Sequence, residues 1–260
     1  MDQVSDHTVI DPGEHDGVLE LFGRICDRTT LILAGNDDWS MSGERDTQYS
    51  IDVEIDAACL EMLHGAGLAV LSEESGITGR HADPSGAVVV VDPLDGSTNA
   101  SLGLPWCATA LCLVADGVPQ VATVANLRTG TRYTAVRGRG ATRNGLGIGM
   151  APSLALSEAI IAVNARPPRA FRPAQYRSMG ATALDIAAVA GEGGFDGSID
   201  FDEDRVGVWD YLASVLIVEE AGGVAVDALG RDLVVLDHTA RRRPVTAISQ
   251  QLLDELLTHA

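Results

Sequence analysis

The chain has 260 residues, 46% of them hydrophobic, which is enough for one large core or two subdomains and excludes a disordered chain. Its formal charge of −19 excludes the basic footprint of a protein that binds a nucleic-acid polymer. All 18 basic side chains are arginine, which excludes chemistry that needs a lysine, such as Schiff-base catalysis.

The four cysteines are scattered without metal-site spacing, so we expect buried, reduced thiols. The first residues lack the basic and apolar regions of a signal peptide, and no stretch of sequence is long and apolar enough to cross a membrane. These features predict a cytoplasmic protein without a membrane partner.

The first third of the chain predicts two helices followed by two strands. Apolar positions recur at helical spacing over residues 16–34 and 51–63. A short apolar run over residues 68–72 then leads into Glu73 and Glu74, and four valines over residues 88–91 predict a strand that is buried on both faces.

The valine strand leads directly into Asp92, and we expect the chain to turn at Pro93 so that Asp92 and Asp95 face one point. Gly96 would allow backbone to approach a ligand, and the following Ser97, Thr98 and Asn99 are N-cap types that predict a short helix with free amides. Such a sequence alone is typical of a turn. The acidic ends of the 68–72 and 209–220 segments favour a metal-assisted phosphate site instead.

Two runs over residues 107–114 and 118–125, joined by Asp116-Gly117, predict a hairpin, and 131–136 continues it towards a turn at Asn144-Gly145. These patterns predict an α/β fold with much antiparallel sheet. A connection near Pro152 divides the predicted N-terminal subdomain, 1–150, from the C-terminal subdomain, 151–260.

In the second half, the patterns predict strands over 159–163, 195–201, 224–227, 233–236 and 245–248, and helices over 183–190, after Asp210, and over 252–257. We predict no chemistry after residue 223.

Four pieces of this sequence, in this order, resemble the inositol monophosphatase and fructose-1,6-bisphosphatase family of magnesium-dependent, lithium-sensitive phosphomonoesterases. They are Ser72-Glu73-Glu74-Ser75, residues 92–99, residues 137–141 with Asn144-Gly145, and Trp209-Asp210 with residues 220–223. The resemblance implies a layered α-β-α-β-α sandwich with mixed, largely antiparallel sheets, often assembled as a homodimer.

The resemblance also implies a set of metal ligands: Glu73, Asp92, the Leu94 carbonyl, Asp95 and Asp210. Carboxylate and carbonyl oxygens suit Mg²⁺, so we expect two or three Mg²⁺ ions, with Mn²⁺ as a substitute. Asp92 would bridge two ions, with Glu73 and Leu94 on one side and Asp95 and Asp210 on the other.

Three residues are implied in catalysis: Glu73, Ser97 and Asp56, with Asp56 orienting the Ser97 hydroxyl towards the attacking water. Asp52 is a rival for Asp56, because Val53 stands where the family commonly has a threonine. The implied substrate contacts are Gly96, Ser97, Thr98, Gly180, Ala181, Thr182, Glu203 and Arg205.

We therefore expect a Mg²⁺-dependent phosphomonoesterase that hydrolyses a small polyol or sugar phosphate resembling inositol 1-phosphate. Fructose-1,6-bisphosphatase, histidinol-phosphatase and 3'-phosphonucleotide phosphatase activities are alternatives within the family. An alternative of another class is a catalytically weak, metal-binding regulatory protein, since the lysine that the family often carries is absent.

Overall fold

The computed structural model describes residues 9–43, 48–79, 86–191, 193–202 and 205–260. The helices of these residues are α1 (His15–Gly35), α2 (Ser50–Gly65), α3 (Ser97–Ser101), α4 (Thr182–Ala187), α5 (Val208–Glu220) and α6 (Gln250–Leu257). The strands are β1 (Ala69–Ser72), β2 (Gly76–Thr78), β3 (Val88–Asp95), β4 (Ala108–Ala115), β5 (Val118–Asn126), β6 (Arg132–Val136), β7 (Gly140–Arg143), β8 (Leu146–Ile148), β9 (Ile160–Asn164), β10 (Gln175–Arg177), β11 (Gly197–Asp200), β12 (Val224–Asp227) and β13 (Pro244–Ala247).

The first sheet has eight strands in the order β2-β1-β3-β4-β5-β6-β7-β8. Only β1 and β3 pair in parallel, and every other neighbouring pair is antiparallel. The β4–β5 hairpin turns at Asp116 and Gly117, whose φ values of 52° and 72° suit this dipeptide. The predicted antiparallel character of the first half is therefore confirmed.

The second sheet has five strands in the order β10-β9-β11-β13-β12. Helices α1 and α2 cover one face of the first sheet, α4 and α5 lie between the two sheets, and α6 covers the outer side of the second. These layers are the expected α-β-α-β-α sandwich. Apolar side chains of α5, among them Leu212, Leu216 and Ile217, are fully or almost fully buried between the sheets.

Two expectations about local structure are wrong. Residues 233–236 form no strand. They lie in an irregular segment between β12 and β13, and their partly buried side chains pack against the core from there. The β3 strand does not end at Val91 but continues through Pro93 to Asp95. Proline is tolerated there because the ladder between β3 and β4 changes register at this point.

No described helix is both long and apolar enough to cross a membrane.

Candidate metal centre

A β-bulge brings Asp92 and Asp95 to the same side of β3. Asp92 pairs with Ala110 of β4 and Asp95 pairs with Ala108, so Pro93 and Leu94 together lie opposite the single residue Thr109. Residues three apart on a regular strand point to opposite faces, and one extra residue reverses that relation. The Thr109 hydroxyl supports the bulge by donating a hydrogen bond of 2.8 Å to the Pro93 carbonyl.

The parallel ladder between β1 and β3 places Glu73 beside Asp92. Ser72 pairs with Val91, and the Glu73 amide continues the ladder by donating to the Val91 carbonyl at 3.2 Å. Glu73 and Asp92 therefore lie next to each other, at the same end of two neighbouring parallel strands.

Asp210 reaches the same place from α5, where it lies in the first turn of the helix. One carboxylate oxygen each of Asp92, Asp95 and Asp210 lies within 4.8 Å of the others. Three of the four acids that were expected to converge, Asp92, Asp95 and Asp210, therefore do so.

Each of these three carboxylates is held by a backbone amide. Leu94 donates to Asp92 Oδ1 at 3.1 Å, Ala183 donates to Asp95 Oδ2 at 2.7 Å, and Gly207 donates to Asp210 Oδ2 at 2.6 Å. Such bonds fix the orientation of the carboxyl groups without neutralising their charge.

The acids line a cavity of about 270 Å³ together with the start of α3. Its walls are formed by Gln48, Asp52, Glu73, Glu74, Asp92, Leu94, Asp95, Gly96, Ser97, Thr98, Gly180 and Asp210. The described residues of this lining include six carboxylic acids and no basic side chain, so the cavity attracts cations.

Burial and mutual repulsion raise the pKa values of Glu73, Asp92, Asp95 and Asp210. Desolvation, and then the charge of Asp210, raises the pKa of Glu73 to about 8. Desolvation, and then the charge of Asp95, raises the pKa of Asp210 to about 7. The pKa of Asp92 is well above its ordinary value because of burial and the neighbouring Glu73. Ionising all of them at neutral pH requires a cation.

The residues present fit a divalent metal ion. Asp92 Oδ2 is buried and accepts no hydrogen bond from a described residue. A buried carboxylate oxygen without a donor is costly unless a cation binds it. Several hard oxygen ligands around one point suit Mg²⁺ or Mn²⁺.

The predicted contact between Asp56 and Ser97 is wrong. Asp56 is buried and is not among the lining residues, and its oxygens accept hydrogen bonds from Ser72 Oγ, at 2.5 Å, and from Ser75 Oγ. The rival Asp52, in the first turn of α2, lines the cavity instead, and burial raises its pKa to about 7. The difference arises because Asp56 is one helical turn further from the N-terminus of α2.

Of the predicted substrate contacts, Gly96, Ser97, Thr98 and Gly180 line the cavity, whereas Ala181 and Thr182 do not. Thr182 Oγ1 instead accepts a hydrogen bond of 3.0 Å from Asn164. Arg205 also lies outside the lining, and it is exposed, with a guanidinium nitrogen 3.3 Å from Asp202. Glu203 lies outside the described residues.

The start of α3 also differs in detail from the expectation. The N-cap is Gly96, in the left-handed conformation with φ of 80°, and no side chain caps the helix. A Cβ atom at Gly96 would lie 2.9 Å from the Trp106 carbonyl and 3.0 Å from the Ala181 Cβ. Glycine is therefore required both by backbone conformation and by close packing.

Sequence reasoning assigned no role to Gln48 and Glu74, which line the cavity, or to His238 and Arg241, which lie beside Trp209. Glu74 belonged to a recognised motif and could have been included. His238 and Arg241 lie in the segment after residue 223, where no pattern of the sequence indicates chemistry.

Residues 25–260 match the sequence profile of the Inositol monophosphatase family. The match covers most of the chain, with the acidic cluster inside it, and the chain belongs to this family.

Individual relatives agree with this assignment. The chain is 36% identical over 155 residues to a protein of Rhizobium meliloti named inositol-1-monophosphatase, covering 54% of this chain and 57% of that protein. It is 30% identical over 237 residues to an Escherichia coli protein named Nus factor SuhB, covering 84% and 86% of the two chains. The match thus spans less than two thirds of the first relative but most of the second.

A solved structure described as an extragenic suppressor from Pyrococcus furiosus has the same fold. The two chains superpose with a TM-score of 0.80 at 25% identity, covering 93% of this chain and 99% of the other.

Proposed function

We propose that this protein is a Mg²⁺-dependent phosphomonoesterase acting on a small polyol or sugar phosphate such as inositol 1-phosphate. The convergence of Asp92, Asp95 and Asp210 within 4.8 Å, with a buried oxygen of Asp92 that lacks a donor, is the main observation in its favour. Family membership and the name of the Rhizobium meliloti relative support the same reaction class.

Glu73, Asp92, the Leu94 carbonyl, Asp95 and Asp210 would hold the ions. Divalent ions bound there would offset the charge of a phosphate ester and activate a water molecule for attack on phosphorus. Without them, a cavity walled by acids would repel a phosphate.

The start of α3 would hold the phosphate group. The first amides of a helix have no acceptor within the helix, and Ser97 and Thr98 occupy these positions at the cavity wall. Ser97 and Asp52 both line the cavity, and the Asp52 pKa of about 7 suits transfer of a proton near neutral pH. We therefore assign Asp52, rather than Asp56, to the role of general base through Ser97.

The cavity volume and charge favour a small ester with one phosphate group. A volume of about 270 Å³ is at the lower limit of small-molecule sites. A second, distant phosphate would need arginines, and none is among the described residues of the cavity lining. This argues against fructose 1,6-bisphosphate as the preferred substrate.

A panel of phosphate esters tests the proposal. We expect phosphate release from inositol 1-phosphate that requires Mg²⁺ and stops with a chelator. Fructose 1,6-bisphosphate, histidinol phosphate and a 3'-phosphonucleotide complete the panel. No Mg²⁺-dependent release from any of the four would reject the phosphatase proposal.

A regulatory role is a second candidate, favoured by the similarity to the Escherichia coli protein named Nus factor SuhB. Binding of Mg²⁺ without turnover of any ester would support it. From the sequence we also propose that the protein is a homodimer and lies in the cytoplasm. Sedimentation tests the homodimer, and cell fractionation tests the location.

A further inference from the structure

His238 contacts two separate parts of the metal centre from outside the cavity. It lies on the irregular segment between β12 and β13. Its ring stacks on Trp209, with centroids 4.8 Å apart and planes inclined by 32°, and its Nε2 lies 2.8 Å from the carbonyl oxygen of Glu73. Because a carbonyl oxygen can only accept, Nε2 carries the proton and donates it.

Trp209 is closely connected to Asp210, the next residue of the chain. The indole is almost fully buried, and a Cβ atom at Gly207 would lie 2.4 Å from its Cε2 atom. The indole therefore rests against Gly207, and the amide of this glycine donates to Asp210 Oδ2 at 2.6 Å. A shift of the Trp209 ring would consequently move the backbone that orients the Asp210 carboxylate.

Arg241 fixes the segment that carries His238. Its guanidinium carbon lies 5.1 Å from the centre of a Trp209 ring, which is within the range of a cation–π contact. Its Nη1 donates to the carbonyl oxygens of His238, at 2.8 Å, and of Ala240, at 2.9 Å. The arginine thus holds both the indole and the backbone of His238.

Glu73 lies in the turn between β1 and β2, and Asp210 lies in the first turn of α5. No strand pairing of the described residues joins these two elements. His238 bonds to the backbone of one and packs on the neighbour of the other. We propose that His238 is a positioning residue, which sets the separation of Glu73 and Asp210 and thereby the affinity of the cluster for divalent ions. This inference rests on the proposed metal-dependent function.

Binding of Mn²⁺ to the full chain, followed by electron paramagnetic resonance, tests the inference. His238→Phe keeps an aromatic ring against Trp209 but removes the donor, and His238→Gln keeps an N–H donor. The matched control is His259→Phe, since His259 also contacts an aromatic ring, that of Phe171, at 5.5 Å, outside the cavity. Loss of a residue that orients a metal ligand costs about 10- to 100-fold in affinity.

We expect the Kd for Mn²⁺ to rise at least ~10-fold in His238→Phe, to recover mostly in His238→Gln, and to stay unchanged in His259→Phe. The Mg²⁺ concentration for half-maximal phosphate release should rise in parallel, with kcat at saturating Mg²⁺ largely kept. A merely structural role would lower the melting temperature in EDTA without this shift.

Wild-type affinity in His238→Phe would overturn the inference and leave the proposed function standing. Absence of Mn²⁺ binding by the wild-type chain would overturn both. If circular dichroism shows that His238→Phe does not fold, the comparison is between His238→Ala and His238→Gln. Weak binding by alanine that glutamine restores supports the inference, and equal affinities overturn it.

Discussion

The backbone of Ala183 connects Asp95 to Ser214. Its amide donates to Asp95 Oδ2 at 2.7 Å, and its carbonyl accepts a hydrogen bond of 2.6 Å from Ser214 Oγ. Ser214 lies one helical turn after Asp210 on α5. The start of α4 is therefore hydrogen-bonded both to the bulge of β3 and to the helix that carries Asp210. The distance between Asp95 and Asp210 therefore depends on packing in both halves of the chain.

Asp92→Asn should retain the fold and lose Mg²⁺-dependent phosphate release. The change removes the charge of a buried carboxyl with an unpaired oxygen. Because an orienting residue already costs about 10- to 100-fold in metal affinity, a direct ligand should cost at least ~100-fold. Without metal, the variant should unfold at higher urea concentration than wild type, since acidic repulsion is relieved.

The matched control for this substitution is Asp116→Asn. Asp116 lies in the β4–β5 turn with φ of 52°, a conformation that asparagine tolerates well. Its activity should equal that of wild type. Unimpaired turnover by Asp92→Asn would contradict the assigned ligand set.

The stability of the metal-free protein should fall as pH rises from about 4 to about 8. Glu73 and Asp210 have folded-state pKa values of about 8 and about 7, above the ordinary values of 4.5 and 3.8 for these side chains. The folded state therefore binds more protons than the unfolded state in this window, and deprotonation favours unfolding. Urea unfolding in EDTA measures the trend.

Addition of Mg²⁺ should oppose this trend. The ion binds the ionised carboxylates, so the gain in unfolding free energy on adding Mg²⁺ should be larger at pH 8 than at pH 6. A Mg²⁺ effect that is equal at both pH values would mean that these acids do not bind the ion.

Asp52→Asn and Asp56→Asn should have opposite consequences. Asp52 lines the cavity, so its replacement should lower turnover by about 100-fold or more with little loss of stability. Asp56 accepts hydrogen bonds from Ser72 and Ser75, so its replacement should lower the free energy of unfolding by about 1–3 kcal/mol. The reverse pattern in kinetics and urea unfolding would restore Asp56 as the residue that acts through Ser97.

Gly96→Ala should destabilise the protein far more than Gly103→Ala. Both glycines have positive φ, 80° and 72°, but a Cβ at Gly96 would meet the Trp106 carbonyl at 2.9 Å, whereas nothing lies within 4 Å at Gly103. Gly103→Ala should therefore cost about 1 kcal/mol for backbone strain alone. Similar melting temperatures for the two variants would show that the contact at Gly96 relaxes freely.

Local patterns were sufficient to predict most elements of the fold. The helical spacing of Val18, Phe22 and Ile25 predicted α1, the run of four valines predicted β3, and the β-rich run after Asp116-Gly117 predicted β5. The continuation of β3 through Pro93 was not predictable in this way, because it depends on Thr109 of the neighbouring strand. A bulge depends on how two strands pair. The sequence of β3 alone shows a proline, and it does not show which residues of β4 lie opposite.

The convergence of Asp92, Asp95 and Asp210 could be predicted because the residues around them resemble a known family, with an apolar run before Asp92 and an apolar helix that begins at Asp210. The choice between Asp52 and Asp56 could not, since both lie on the same helix four positions apart and are almost equally buried. His238 was missed for another reason. Its contact with Glu73 joins residues 165 positions apart, and an isolated histidine in a polar segment has no periodicity.

The bulge of β3 also constrains how this segment can change. Two acids separated by a single residue could share a face of a flat strand, whereas the spacing here makes the kink obligatory. Deleting Leu94 would keep both carboxylates on one side, yet it would discard the carbonyl assigned to an ion and remove the bulge in which the Pro93 carbonyl accepts from the Thr109 hydroxyl. Loop-like tolerance of insertions and deletions should therefore be absent from this stretch, even though its composition is that of a turn.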